Sequence, residues 1–127
     1  SKPTAKVIFS NVALISTING VKTLFFRVAN ERQNQVVEAE VRCLILKNIS
    51  TKEGHNYRKF YDLKLERSYL PIFALTWTIE HKITEESPLF SLNLEDLKEA
   101  EAEIIVSFTG VDEAFSQPIT TRFSYVA

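Results

Sequence analysis

Glycine, cysteine and histidine are scarce in this chain, and methionine is absent. Its 127 residues include three glycines, one cysteine and two histidines. Three glycines are too few for a glycine-rich loop that cradles phosphate, and one cysteine excludes an intrachain disulfide. The single thiol, Cys43, lies in an alternating apolar segment, which suits a reducing compartment.

Neither sign of charge is in excess, and no hydrophobic run is long. The chain has 15 basic and 16 acidic residues, for a net charge of −1, so we expect no nucleic-acid partner. No apolar stretch approaches the roughly 20 residues of a membrane helix, and no signal peptide is visible. The length and the 45% hydrophobic content predict a single folded domain. Because the chain does not begin with methionine, we interpret it as a piece of a longer protein.

Alternation of apolar and polar residues with a period of two is abundant. In "QVVEAEVRCLILK" it places Glu38, Glu40 and Arg42 on the face opposite to Val37, Ala39, Val41, Cys43 and Ile45. "KFYDLKL" continues the pattern. "PIFALTWTI" is predicted as one strand with Phe73, Leu75, Trp77 and Ile79 on one face.

Turn signals separate these segments. Asn19-Gly20 is the strongest hairpin signal, and Glu53-Gly54 and Ser87-Pro88 mark further turns. The helical candidate is "NLEDLKEAEAE", with Asn93 and Asp96 in a near-capping-box arrangement. About seven short strands and one short helix predict an all-β fold, an immunoglobulin-like antiparallel β-sandwich with one short helix.

Catalytic chemistry has little support in the sequence. "TWTIEHKITEESPLF" gathers His81 and three glutamates, but no HExxH, His-x-His or paired-cysteine spacing occurs, and we expect neither a metal nor a catalytic residue. We expect His81 just beyond a strand, at a sheet edge or a subunit contact. No serine lies in Gly-x-Ser-x-Gly, and Cys43 is expected to be inert packing. A small metallohydrolase using His55 and His81 is a remote alternative.

Two polar features remain open to more than one interpretation. Glu38 and Glu40 form either a solvated outer face or an acidic stripe that faces a subunit axis. In "TGVDEAFSQPITTRFSY", Pro118 cannot donate to a ladder, so we expect the chain to leave regular pairing between Gly110 and Pro118. This excursion is either an ordinary long hairpin loop or a loop for binding and gating.

The chain resembles the cytoplasmic domain of inward-rectifier potassium channels, and the bacterial branch most closely. The resemblance rests on "KPTAKVIFS", "LFFRVANERQNQVVEAEVR", "GHNYRKFYDLKLERS", "PIFALTWTIEHKITEESPLF" and "EIIVSFTGVDEAFSQPITTRFSY". It implies an immunoglobulin-like sandwich, four copies of which form a vestibule below the membrane pore. The resemblance implies that the stretch "TWTIEHKITEESPLF" is a strand and a turn, not a catalytic site.

The resemblance also implies roles for individual residues. Glu38 matches the acidic position that lines the cytoplasmic pore, and Thr109 stands where many eukaryotic members carry a second acidic residue, which argues against strong polyamine block. Arg122 matches a basic residue expected at a subunit contact, and Lys2 and Lys6 are expected near anionic lipid headgroups. The constriction of the pore is implied for the loop made of Glu113, Ala114, Phe115, Ser116, Gln117 and Pro118.

For the whole chain, residues 1–127, the resemblance implies the cytoplasmic regulatory domain of a potassium channel. The membrane pore domain is missing from it, and its C-terminal segment is interpreted as truncated. The parent protein is expected in the cell membrane as a homotetramer that takes no cofactor and passes potassium ions, and it is grouped with voltage-gated ion-transport proteins. The main alternative is a soluble immunoglobulin-like module that binds another protein through a sheet edge.

Overall fold

The structure is a computed structural model that describes residues 4–127. Within that range the chain forms nine strands and one helix. They are β1 (Val7–Phe9), β2 (Leu14–Ile18), β3 (Val21–Asn30), β4 (Val36–Ser50), β5 (Asn56–Asp62), β6 (Tyr69–Phe73), β7 (Thr76–Lys82), α1 (Leu94–Glu99), β8 (Glu103–Asp112) and β9 (Gln117–Val126).

The smaller sheet is built around β3 and is antiparallel throughout. One edge of β3 pairs with β1 and β2 in succession, and its other edge pairs with β7. Ile18 faces Val21 across a two-residue turn in which Asn19 and Gly20 have φ angles of 50° and 80°. Positive φ at both positions is the geometry that Asn-Gly supplies at low cost, so the predicted hairpin is confirmed.

The larger sheet is built around the 15-residue strand β4. Strands β5 and β6 share one edge of β4, and β8 pairs with the other edge. Strand β9 pairs with β8 and forms the outer edge of the sheet. All of these pairs are antiparallel, as the alternating sequence predicted.

One hydrophobic core joins the two sheets. Val28 and Ile79 of the smaller sheet and Val41, Ile45 and Phe108 of the larger sheet are at most 1% exposed and belong to one cluster. Because each sheet buries one face against the other, the architecture is a β-sandwich, and the predicted all-β, immunoglobulin-like class is confirmed.

The segment "PIFALTWTI" is not one strand, which corrects the prediction. It divides into β6, in the larger sheet, and β7, in the smaller one, with Ala74 and Leu75 between them. Leu75 is 76% exposed, whereas Phe73 and Trp77 are buried. Here the chain crosses from the larger sheet to the smaller one. The alternation of period two continues through the connection, so it cannot reveal the crossing.

The short helix begins as predicted. The Asn93 side chain accepts a hydrogen bond from the Asp96 amide (2.8 Å), and the Asp96 carboxylate accepts one from the Asn93 amide (2.9 Å). This reciprocal capping box satisfies two amide donors that have no partner inside the helix. Leu97 packs into the core, whereas Leu94 is exposed.

Candidate functional site

Glu38 lies in a β-bulge, where β4 carries one residue more than β8. Val37 pairs with Val111 and Glu40 pairs with Thr109, so Glu38 and Ala39 share the space opposite one residue of β8. Glu38 has a φ of 52°, in the left-handed region that non-glycine residues seldom adopt. Such a bulge bends a strand and re-aims its side chains. Glu38 is exposed at this position.

The bulge changes which valine enters the core. Val36 and Ala39 are fully buried, whereas Val37 is half-buried, so the prediction that Val37 shares one face with Ala39 and Val41 is wrong. The extra residue shifts the alternation by one position on the N-terminal side of Glu38. From Ala39 to Ile45 the predicted pattern holds, with Ala39, Val41, Cys43 and Ile45 buried.

The acidic residues and Thr109 share the exposed outer face of the larger sheet. Glu38, Glu40 and Arg42 are all exposed, as predicted. Thr109 is exposed too and pairs directly with Glu40. The fold therefore brings both residues that were expected to line a pore to one surface, and it adds Glu40 as the direct neighbour of Thr109. We call Glu38, Glu40 and Thr109 the acidic face.

The loop after β8 is shorter than predicted, and Pro118 does not interrupt the ladder. Gly110 pairs with Ile119, Val111 with Pro118 and Asp112 with Gln117, so the connection consists of residues 113–116. Pro118 lies on an edge strand, where the missing N–H leaves no partner on a neighbouring strand unsatisfied. The predicted departure from pairing is therefore confined to residues 113–116, and Pro118 is not its cause.

Of the residues predicted for this loop, four lie in the connection and two open β9. Glu113, Ala114, Phe115 and Ser116 form the turn, while Gln117 and Pro118 begin the strand. Ser116 has a φ of 51°, and Phe115 is 40% exposed at the tip of the hairpin.

Asp112 organises this loop, and sequence reasoning assigned it no role. One carboxylate oxygen, Oδ1, accepts hydrogen bonds from the amides of Ala114 (2.9 Å) and Phe115 (3.4 Å). The other, Oδ2, accepts from the Ala5 amide (2.7 Å) and the Asn34 side chain (3.1 Å). The local part of this pattern is an Asx turn and was available to sequence reasoning. The hydrogen bonds from Ala5 and Asn34 could not be predicted from local sequence.

The Asp112 side chain is fully buried, and its surroundings hold the charged form. Burial raises the pKa of the carboxyl group, but the hydrogen bonds from Ala5, Asn34, Phe115 and Ala114 together outweigh burial and lower the pKa below its ordinary value. Asp112 is therefore a charged residue inside the protein.

Arg122 lies in a row of polar side chains on the larger sheet. It pairs with Ser107, which in turn pairs with Arg42, and all three line a shallow cavity of about 380 Å³. Between residues 4 and 127 no carboxylate lies within salt-bridge distance of Arg122. Arg122 is exposed.

The two lysines expected near lipid headgroups have different outcomes. Lys2 lies outside the described residues. Lys6 is exposed and forms a salt bridge with Glu31 at 3.4 Å. An exposed pair of this kind is worth at most about 1 kcal/mol, so Lys6 can exchange it for another anion at little cost.

The prediction that His81 lies just beyond the end of a strand is wrong, but the predicted sheet edge is correct, because among the described strands β7 pairs with β3 alone. His81 is a structural residue. It lies within β7 and is 4% exposed. Its Nδ1 is 2.6 Å from the Lys64 carbonyl oxygen, so Nδ1–H donates to that oxygen. In this tautomer the Ser87 hydroxyl donates to Nε2 (2.7 Å), while Ser87 Oγ accepts from the Leu89 amide (3.0 Å). The chain of bonds ties the "SPL" turn to the strand.

The histidines and carboxylates do not assemble into a metal centre in the described part of the chain. No group of three or more potential ligands lies together there. His55 lies in the exposed loop between β4 and β5 of the larger sheet, whereas His81 lies in β7 of the smaller sheet. This separation disfavours the metallohydrolase alternative.

The Cys43 thiol is expected to be unreactive in the folded chain. It is buried in β4, and burial raises the pKa of the thiol to about 12. At pH 8 we expect DTNB to label it on the order of 10³-fold more slowly than an exposed cysteine, because the thiolate is the reacting form. Absorbance at 412 nm with and without urea measures the two rates. Fast labelling without urea would contradict the assignment of Cys43 as inert packing.

Comparison with known proteins places this sandwich in a family. Residues 7–127 match the family described as the inward rectifier potassium channel C-terminal domain. The chain is 41% identical over 125 residues to inward rectifier potassium channel Kirbac3.1 of Paramagnetospirillum magnetotacticum, covering 98% of this chain and 42% of that protein. It is 35% identical over 130 residues to inward rectifier potassium channel 4 of Homo sapiens, covering 95% of this chain and 28% of that protein.

The class that this fold and these matches define is a β-sandwich domain of ion channels. The chain belongs to the family of inward rectifier potassium channel C-terminal domains. It spans less than half the length of the curated relatives that it matches. These relatives are named inward rectifier potassium channels, which gives no support for grouping the chain with voltage-gated proteins.

Over residues 4–127, no helix is long and apolar enough to cross a bilayer.

Proposed function

We propose that this chain is the cytoplasmic regulatory domain of an inward-rectifier-type potassium channel in the cell membrane. In this proposal the channel is a homotetramer, and the domain extends the ion path and couples its own movement to the membrane gate. The relatives it matches are named inward rectifier potassium channels, which favours this function over a freestanding protein-binding module. It also favours a non-enzymatic role, with potassium ions as the permeant species and no cofactor.

The observation that carries the proposal is the acidic face. Two exposed carboxylates lie on one sheet surface, and a strained bulge holds one of them. Backbone strain is kept where the surrounding structure over-determines it, which is frequent at functional positions. Four copies of Glu38 around one axis would form a negative ring that concentrates potassium ions.

The other residues take their proposed roles around this ring. Thr109 carries no charge beside Glu40, so only Glu38 and Glu40 would attract polyamines at this surface. Block by polyamines would therefore be weak. The loop 113–116 and the start of β9 would form the constriction, with Phe115 at its tip. Arg122 would contact a neighbouring subunit, and Lys2 and Lys6 would lie near anionic headgroups, each cation adding about 1 kcal/mol of attraction.

The Glu38→Gln variant of the full-length channel tests the ring. Removing four like charges lowers the local potassium concentration, so we expect the inward unitary conductance at low ionic strength to fall roughly twofold. The difference should shrink toward zero in 1 M KCl, where the Debye length is about 3 Å. Single-channel recording in planar bilayers measures both values.

Glu53→Gln is the matched control, because Glu53 is exposed in the turn between β4 and β5, away from the bulge. Its conductance should equal that of the wild type. Unchanged conductance and rectification in Glu38→Gln would show that Glu38 does not line the ion path.

A further inference from the structure

Three separate segments of the chain meet at the Asp112 carboxylate. They are the amino-terminal segment (residues 4–6), the connection between β3 and β4 (residues 31–35) and the β8–β9 loop (residues 113–116). Each supplies at least one N–H to the carboxylate, as the bonds from Ala5, Asn34, Ala114 and Phe115 show. We call this arrangement the Asp112 junction.

Further hydrogen bonds tie the same three segments pairwise. The Glu113 amide donates to the Gln35 carbonyl (3.0 Å), which joins the loop to the β3–β4 connection. The Glu31 amide donates to the Lys6 carbonyl (2.9 Å), which joins that connection to the amino-terminal segment. The carboxylate closes the triangle by joining the amino-terminal segment directly to the loop.

The geometry of the junction makes it stiff. Asp112 is the last residue of β8 and is fully buried, so its side chain cannot turn to water when one partner moves away. Moving the amino-terminal segment would leave a buried carboxylate oxygen short of a donor, and an uncompensated buried charge is costly. Shifting the loop together with that segment avoids the loss.

We infer that Asp112 is a positioning residue that links the amino-terminal segment to the β8–β9 loop, so that displacement of one displaces the other. The inference rests on the proposed function, in which that loop forms the constriction of the ion path. The linkage itself is a property of this chain and can be measured apart from any current.

Asp112→Asn in the full-length protein tests the linkage by amide hydrogen exchange. The amide group has nearly the same shape, but its NH₂ cannot accept a hydrogen bond, so one pair of donors loses its acceptor. We expect exchange to become about tenfold faster in both residues 4–9 and residues 111–117. Faster exchange in the loop alone, or in neither segment, overturns the linkage.

Asp96→Asn is the matched control. It makes the same change of charge and also weakens a hydrogen bond from a backbone amide, but it lies in the capping box of α1. Exchange in the two segments should be as in the wild type.

Ala5→Pro is the reciprocal variant, and it tests the same linkage if Asp112→Asn does not fold. It removes the amide donor from the amino-terminal side alone and leaves Asp112 intact. Faster exchange in residues 113–116, which are more than 100 residues from Ala5 in the sequence, supports transmission through the carboxylate. An unchanged loop overturns it.

Single-channel recording of Asp112→Asn then tests the role in gating. A positioning residue changes the open probability, by roughly fivefold or more, and leaves the unitary conductance unchanged. A residue that only supports folding lowers the number of channels, and those that remain gate normally, which overturns the role in gating. If the wild-type protein carries no potassium current, the proposed function fails, while the exchange result still decides the linkage.

Discussion

Replacing Phe73 by alanine is expected to lower the free energy of unfolding by about 3–5 kcal/mol. Phe73 ends β6 and is 1% exposed. Its ring centroid lies 5.7 Å from that of Phe108 in the same sheet and 6.1 Å from that of Trp77 in the other sheet. The ring therefore packs across the sandwich, at the point where the chain crosses from one layer to the other, and its loss leaves a cavity between the sheets.

Urea unfolding followed by fluorescence measures this change directly. Trp77 is the only tryptophan in the sequence, so its emission reports on the packing next to Phe73. Phe60→Ala is the control, since Phe60 is 62% exposed on β5 and its removal should cost less than about 1 kcal/mol. Equal losses in the two variants would show that Phe73 does not join the sheets.

Gly110→Ala is expected to cost about 1–3 kcal/mol, as overpacking of a core does. A Cβ atom on Gly110 would lie 2.5 Å from Cγ1 of Val36 and 3.3 Å from the carbonyl oxygen of Val37. Val36 is fully buried and β-branched, so it has little freedom to move aside. Gly110 faces the bulge that carries Glu38, and the absence of a side chain lets the two strands approach there.

A double-mutant cycle with Val36→Ala identifies the cause. Val36→Ala removes the Cγ1 atom that the new methyl group would meet, so Gly110→Ala should cost less in that background than in the wild type. Thermal or urea unfolding of the four proteins gives the coupling free energy. A coupling near zero would mean that the clash with Val36 is not what makes glycine necessary at this position.

Several features followed from local chemistry and were predictable. The Asn-Gly hairpin and the capping box at Asn93 each depend on residues close together in the chain. The outward position of Glu40 and Arg42 followed from alternation alone. Family membership was predictable as well, because matching stretches run through nearly the whole sequence.

The errors share a different origin, since each depends on a residue far away in the sequence. Val37 left the core because β8 has one residue fewer than β4 across the bulge. Pro118 stayed in a regular ladder because no strand pairs with the outer edge of β9 within the described chain. His81 became buried because Lys64 and Ser87 supply its hydrogen bonds, and no periodicity reports such partners.

Asp112 shows most clearly the difference between contacts that local sequence predicts and contacts that only the fold creates. Its bonds to Ala114 and Phe115 span two and three residues, and the order of residues in a turn is enough to favour them. Its bond to Ala5 spans 107 residues and exists only because the sandwich brings the two ends of the domain together. Local sequence sets which conformations each segment prefers. The packing of the two sheets settles which of the distant polar groups meet, because a buried charge is stable only where the fold supplies its donors.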